Sequence, residues 1–330
     1  MAAHAPALLA ALTDPEFTRP AFSCSVPRPN AIWTAWPPMA DAGDAPLGLV
    51  MIVREEAQSI RTTLRSAKAA IDGWTLMDTG STDGTQAAIQ EVLGDEDAPP
   101  GRLVSAPFVD FSTTRNAALR AHGDATFATF TPDADFQFAR LWRLRLSAER
   151  LQRACRAASP APACGKAWMV SRQYGRLLFR MQVAWPSAGQ GTLDAWLYEY
   201  PIHEVAGRGP NHGGESVQLP HSSAAMVWID GVVHNKSQVR WREFDLRILK
   251  EECARRDTRV QFYLGRTYMQ VGEWDNGIAA FQKRIDMGGW YEEVFQSMLD
   301  QGRALVRLGR DPTPRLRAEP LYELVMWHDD

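Results

Sequence analysis

The chain has 330 residues, is 45% hydrophobic and carries a formal net charge of -3 at pH 7. That is apolar material for one large domain or two ordinary ones, and so small a net charge excludes a global pull toward nucleic acid or membrane. No apolar run is long enough to cross a bilayer, and Cys24, Cys155, Cys164 and Cys253 form no CxxC pair and no zinc spacing with histidine, as expected for reduced thiols of a cytoplasmic protein.

Residues 1–46 hold one short helical stretch at 7–12, without the basic flank of a signal peptide. Residues 27–44, with four prolines, Trp33 and Trp36, read as a segment wrapping the next domain. At Leu47 the character changes. LGLVMIV, residues 47–53, is short, continuous and apolar, the pattern of a buried strand. After Arg54-Glu55-Glu56, residues 57–71 place Ile60, Leu64, Ala67 and Ile71 at helical spacing. Residues 73–77 predict a second strand, with Asp78 at its carboxyl end and a turn in which Gly80 and Gly84 permit backbone geometry other residues resist. Asp83 and Gln86 have the spacing of an N-cap and its capping-box partner, opening a helix over 86–93. A strand at 103–106, a helix at 111–121 capped by Ser112, and a strand at 125–130 complete a βαβαβαβ order. That order predicts an α/β fold built on a mostly parallel, doubly wound sheet.

Ligands of such sheets bind beyond the carboxyl ends of the strands. Asp78 ends the second strand there, and Asp133-Ala134-Asp135 ends the fourth, after Pro132. Two carboxylates one residue apart can face one hard cation, and a divalent ion there would stabilise a diphosphate leaving group. The alternative for each motif is an ordinary surface turn.

In order and spacing, VMIVREE (50–56), MDTGSTDGT (77–85), FSTTRNAAL (111–119) and PDAD (132–135) resemble the family 2 glycosyltransferases of the GT-A fold. The resemblance implies a Rossmann-like nucleotide-sugar domain, most simply for a UDP-sugar. It implies Glu56 near the nucleoside, Asp78 on the base, and Arg115 approaching the base or diphosphate. It places Asp133 toward the ribose or sugar and beside the metal, with Asp135 holding Mn²⁺ or Mg²⁺. The sequence departs from the family pattern at Glu55 (usually Asn), Pro132 (usually apolar) and Phe136 (often acidic), which bears on donor identity and metal affinity.

From 136 to 193 there are ten cations (Arg140, Arg143, Arg145, Arg150, Arg153, Arg156, Lys166, Arg172, Arg176, Arg180) and one acid, Glu149; ten minus one leaves +9. Leu141, Leu144, Leu146 and Leu151 recur at helical spacing, so part of this charge reads as a solvated helix face. The other reading is an anionic acceptor. Arg172, Arg176 and Arg180, interleaved with Trp168 and Tyr174, suit a phosphate backbone and exposed bases, as in DNA.

Strands are expected at 167–170 and 177–183, followed by YEYPIHEV at 198–205. A comparable V-H-E follows the acceptor strands in the same family. An inverting transfer needs a base beside the acceptor hydroxyl. Glu204 is the first candidate and His203 the second; a structural His–Glu pair is the alternative. Residues 227–234 read as a strand or hairpin, and His234 resembles the late histidine that completes the metal shell in many GT-A enzymes. The Gly- and Pro-rich segment 207–221 reads as a loop over the site.

From residue 240 the pattern is helical. Leu264, Gly265, Tyr268, Gly272, Gly277 and Phe281 have tetratricopeptide (TPR) spacing, and helical patterns continue at 290–308 and 320–327. FQKRIDMGGWYEE (281–293) also resembles the tails of glycosyltransferases with such an extension. These helices cap the fold, or bind the acceptor or a second subunit. The expected organisation is an extension (1–46), a GT-A domain (47–238, halves meeting at 138/139) and a TPR-like domain (239–330). The expected activity is metal-dependent, inverting transfer of a sugar from a nucleotide-sugar to an acceptor hydroxyl. A hydroxymethylated DNA base, a peptide and a cell-surface glycan stay open as acceptors. A non-catalytic GT-A/TPR binding protein is the rival from another class. A nucleotidyltransferase would need a Gly-rich, basic loop where Arg54-Glu55-Glu56 stands.

Overall fold

The computed structural model describes residues 45–123, 125–157, 167–174, 177–184, 196–208, 222–228, 240–253 and 257–311. Strands β1 (Leu47–Val53), β2 (Gly73–Asp78), β3 (Gly101–Ser105) and β4 (Ala128–Phe130) form a parallel sheet in the order β3-β2-β1-β4. Helices α1 (Ile60–Ala67), α2 (Thr85–Leu93) and α3 (Phe111–His122) alternate with them. β1 and β2 are buried throughout except for the half-buried Ile52, as expected of parallel strands covered on both faces. Side-chain alternation divides β1 between two layers. Leu47, Leu49, Met51 and Val53 pack with Ile60, Leu64 and Ile89 of α1 and α2. Val50, with Met77 and Val104, packs with Ala117, Ala118 and Leu119 of α3. Each such large side chain contributes about 1.5–3 kcal/mol on burial.

The connections step outward from β1 to β3, and the chain then returns to place β4 on the other side of β1. The strand order therefore reverses between β1 and β4, where open α/β sheets form their ligand crevice. Residues 54–56 and 131–135 lie at the carboxyl ends of these two strands.

Beyond β4 come β5 (Phe136–Ala139), α4 (Trp142–Ala157), β6 (Ala167–Tyr174), β7 (Leu177–Ala184), β8 (Trp196–Glu199), β9 (Val205–Arg208) and β10 (Ser222–Trp228). A second sheet has the order β5-β10-β6-β7, and β8 and β9 form a separate antiparallel ribbon. Arg145 of α4 ties back to the first sheet, its Nη2 2.8 Å from Asp72 Oδ1, while Asp72 also accepts the Leu47 N–H.

A π-helical turn (Trp241–Asp245) leads into α5 (Leu246–Glu252), α6 (Thr258–Gln270), α7 (Trp274–Met287) and α8 (Tyr291–Arg307). Asp257 caps α6 by accepting the Val260 N–H at 3.1 Å. α6 and α7 close at Gly265, where a Cβ would come 2.6 Å from the Phe281 ring. The Gln261 and Gln301 side chains donate to the Ala280 and Ile278 carbonyls, binding α7 from both sides. Ile202, from the β8–β9 loop, shares an apolar cluster with Leu246, Leu249, Val260 and Leu264, so these helices pack directly on that loop.

Several local expectations are corrected. The 57–71 helix begins only at Ile60 and ends in a 3-10 turn, Lys68–Ala70. The Asp83/Gln86 capping box does not form. Gly84 is the N-cap, at φ 94, and Gln86 turns instead to the Asp78 carboxylate. Asp83 accepts the Thr85 and Ala57 N–H groups. Asp110, not Ser112, caps α3, accepting the Thr113 N–H at 2.7 Å; Ser112 donates to the same carboxylate. β4 is shorter than expected because Thr126 uses its hydroxyl on His122 and the Ala128 carbonyl. β10 starts earlier than the expected 227–234 strand. The stretches 7–12, 27–44, 229–239 and 320–327, and 209–221 of the expected loop, lie outside the described residues. Among the described residues no helix is long and apolar enough to cross a membrane.

Candidate functional site

The loops after β1 and β2 are stitched together at the carboxyl edge of the sheet. The Glu55 N–H donates to Ser81 Oγ at 2.9 Å, the Glu56 N–H to Thr85 Oγ1 at 2.8 Å and the Ala57 N–H to Asp83 Oδ2 at 3.0 Å. Burial alone would raise the Asp83 carboxyl, but the Thr85 and Ala57 donors outweigh it and hold it below the usual range. Glu55, the departure from the usual asparagine, has φ 56, and its carboxylate accepts the Thr82 N–H at 2.7 Å. It closes one loop on the other. Glu56 Oε2 accepts from Ser59 Oγ at 2.7 Å. Asp78 is fully buried and is bound by the Ser81 hydroxyl and N–H and by the Gln86 amide.

Arg115 is the centre of the site. It sits on the first turns of α3, 8% exposed. Its Nε donates to Glu204 Oε1 and its Nη2 to Asp133 Oδ1. Burial works against its charge, but the two carboxylates, Glu204 first, more than offset this and raise its pKa further. Its Cζ lies 5.6 Å from the centroid of the Tyr198 ring, and the Tyr198 hydroxyl meets Thr131 Oγ1. Burial pushes that phenol up from its ordinary range.

Asn116, the next residue, clamps the neighbouring strand. Its Nδ2 donates to the Tyr198 carbonyl at 2.9 Å and its Oδ1 accepts the Tyr198 N–H at 2.8 Å. β8 is thereby pinned to α3, and the loop 200–204 that follows carries both proposed bases. They face different surroundings. The Glu204 side chain, 13% exposed, points to Arg115. The His203 ring stacks on Tyr263 of α6, centroids 3.8 Å apart and planes at 17°. Burial, then the charges of Arg259, Arg266 and Arg240, push His203 down to about 3. His203 is a neutral, packed imidazole, separate from the Arg115 cluster.

The DxD turn is anchored from below, with Thr63 Oγ1 donating to the buried Ala134 carbonyl at 2.7 Å. Asp133 exposes 53% of its side chain. Phe136, where an acid is often found, is fully buried in the main core, so an acid there would be desolvated. Among the described residues no group of three His, Cys, Asp or Glu side chains converges on one metal position. Asp133 and Asp135 are carboxylates of the kind a hard cation takes, and Asp133 is paired with Arg115. His234 and Arg176 lie outside the described residues. Arg172 and Arg180 lie in β6 and β7 on adjacent rungs, Arg172 opposite Phe179 and Ser171 opposite Arg180.

No family model matches the chain, and no curated protein matches it. Solved structures do align with it. The mannosyltransferase PcManGT from Pyrobaculum calidifontis, in complex with GDP-Man and Mn²⁺, is 15% identical, with a TM-score of 0.41 over 89% of this chain and 91% of that one. S. aureus TarS 1–349 is 12% identical, with a TM-score of 0.42 over 84% and 91%. S. aureus TarS is 12% identical, with a TM-score of 0.30 over 40% of this chain and only 22% of that one. Likenesses of this degree carry no argument about activity.

Reading the sequence missed Asn116, Tyr198 and Gln86 as parts of the site. Asn116 carried a signal, since it adjoins Arg115 within FSTTRNAAL. Nothing local marked Gln86, whose helical spacing suggested a cap instead.

Proposed function

We propose that this chain is an inverting glycosyltransferase that moves a sugar from a UDP-sugar to an acceptor hydroxyl deprotonated by Glu204. The observation that carries the reading is the double engagement of Arg115. One buried guanidinium binds Asp133, at the carboxyl edge of β4 beside the strand-order reversal, and Glu204, in the β8–β9 loop. A donor-side and an acceptor-side carboxylate thus share one cation, in the crevice where such sheets take nucleotides.

In this reading Glu204 takes the acceptor proton as the acceptor oxygen attacks the anomeric carbon. Arg115 keeps that carboxylate in place. Asp78, fully buried, would act on the base through Ser81 and Gln86, which its carboxylate holds in place, Glu56 would lie by the nucleoside, and Asp133 toward the ribose or sugar. Asp135 and Asp133 would hold Mn²⁺ or Mg²⁺, with His234 as the further ligand the resemblance implies. When bound, that ion would neutralise charge on the leaving diphosphate.

The acceptor we favour is nucleic acid bearing a hydroxymethylated base. Its support is the +9 of residues 136–193. Among the described residues of that segment, Arg145 is engaged with Asp72 and Arg153 with Glu149. The test is UDP release from several UDP-sugars with Mn²⁺, with and without hydroxymethylated DNA. Turnover that depends on the DNA is the expected result. Slow hydrolysis indifferent to DNA moves the acceptor to a peptide or a glycan. Binding of no donor overturns the enzyme reading in favour of a non-catalytic binding protein.

A further inference from the structure

The five residues 200–204 are held from two sides. From α3, Arg115 binds Glu204, Asn116 clamps Tyr198, and the Phe111 N–H donates to the Pro201 carbonyl at 3.0 Å. From the C-terminal helices, Ile202 is buried against Leu246 and Val260. The Tyr200 hydroxyl donates to Asp257 Oδ2 at 3.2 Å, and His203 stacks on Tyr263. Arg259 of α6 joins these contacts. Its Nη2 donates to the His203 carbonyl at 3.1 Å, and its Cζ lies 4.8 Å from the Tyr263 ring centroid and 5.7 Å from that of Tyr200. The guanidinium is in turn fixed by Glu293, 3.6 Å from its Nη1. Glu293 is held by the fully buried Arg284 at 3.0 and 3.2 Å.

Tyr200 and His203 both have left-handed backbones, at φ 69 and φ 55. Such conformations are sparsely populated and persist only where the surroundings over-determine them. Arg259 acts at the second of them. The carbonyl it binds belongs to the peptide that joins His203 to Glu204, so it fixes the plane from which the Glu204 side chain departs.

We infer that Arg259 is a positioning residue for Glu204, and that the C-terminal helices are part of the active-site scaffold. This rests on the reading of Glu204 as the base. A base misplaced by one ångström can cost on the order of 100-fold in rate, and among the described residues Arg259 touches no donor-side residue, reaching Asp133 only through Glu204 and Arg115.

The test compares UDP-sugar turnover with Mn²⁺ in wild type, Arg259→Met, Arg259→Lys, Glu204→Gln and the double variant Glu204→Gln/Arg259→Met. Arg259→Met is expected to lower kcat about 10- to 100-fold with the donor KM within about twofold. Its effect is expected to be nearly absent in the Glu204→Gln background, because the two act as one unit. Arg259→Lys recovers part of the loss, since an ammonium can reach the His203 carbonyl but lacks the planar face for the two tyrosines. Wild-type kcat in Arg259→Met, or an equal loss in both backgrounds, overturns the inference. Amide exchange keeps its failure distinct from that of the functional reading. If Glu204→Gln turns over like wild type, Glu204 is not the base and the reading falls. Faster exchange at 202–204 in Arg259→Met, with α3 unchanged, then still supports the anchoring role; unchanged exchange there overturns that too.

Discussion

His122 lies at the buried end of α3, fully enclosed, with Nδ1 3.1 Å from Thr75 Oγ1 and Nε2 2.9 Å from Thr126 Oγ1. The ring occupies the space left by Gly48, where a Cβ would come 2.4 Å from Nε2. Burial, with a further contribution from Arg102, pushes its pKa down from 6.5 to about 4. The folded protein therefore holds a neutral ring while the unfolded chain takes up a proton as pH falls through 6.5. Stability is complete above that value and declines down to about pH 4, by as much as about 3 kcal/mol. His203, lowered to about 3, acts in the same direction. Urea titrations across this range are expected to show the decline, and His122→Gln to flatten part of it. An unchanged pH slope in that variant would sink the assignment.

Between elements, the Asn116 clamp and the α6–α7 contact make opposite use of side chains. Asn116→Ala leaves the N–H and C=O of Tyr198 without partners, a loss of about 2–4 kcal/mol. The Tyr198 amide is then expected to exchange faster while β1 and β2 stay protected; equal acceleration everywhere would mean the clamp is not local. At Gly265 the issue is room. Alanine gains about 1 kcal/mol in helix propensity, but its Cβ would meet three atoms of the fully buried Phe281 ring at 2.6 to 3.0 Å. Overpacking of this kind costs about 1–3 kcal/mol, so Gly265→Ala is expected to lower Tm. The Gly277→Ala methyl comes 3.2 Å from the flexible Met269 Cγ and at ordinary contact distance from the Gly265 carbonyl oxygen (3.4 Å) and Met269 N (3.7 Å), and the change is expected to be neutral or stabilising. Melting curves of the two variants separate these outcomes.

At the scale of the whole molecule, charge is unevenly placed: -3 overall against +9 over residues 136–193. If that segment meets nucleic acid, affinity for duplex DNA falls with salt, with a log–log slope of about -0.9 per phosphate contacted. Binding assays between low and physiological salt read this slope. Salt-insensitive binding would remove the nucleic-acid acceptor without touching the rest of the reading.

Much of the fold was legible because its signals are local. LGLVMIV reads as a buried strand from its short continuous apolar run, and it forms one; the division of the core into two layers along it came with the structure. The glycine turn after β2 and the Asp133-Ala134-Asp135 turn could be placed at strand ends, and FSTTRNAAL on a helix, from chain order alone. What only the tertiary structure decided was pairing over distance. Asp83 and Gln86 had the spacing of a cap, but the buried Asp78 competes for the Gln86 amide. Arg115, Asp133 and Glu204 come from separate elements: Asp133 follows β4 of the sheet that α3 packs on, and Glu204 follows β8, which Asn116 clamps to α3. Glu204 and His203 are neighbours in the chain, and sequence gave no means to rank their surroundings. The left-handed turn at His203 sends one side chain to a buried guanidinium and the other to an aromatic ring of α6. Local order sets which elements form; backbone direction at a few strained residues, together with what packs on them, decides which side chains meet.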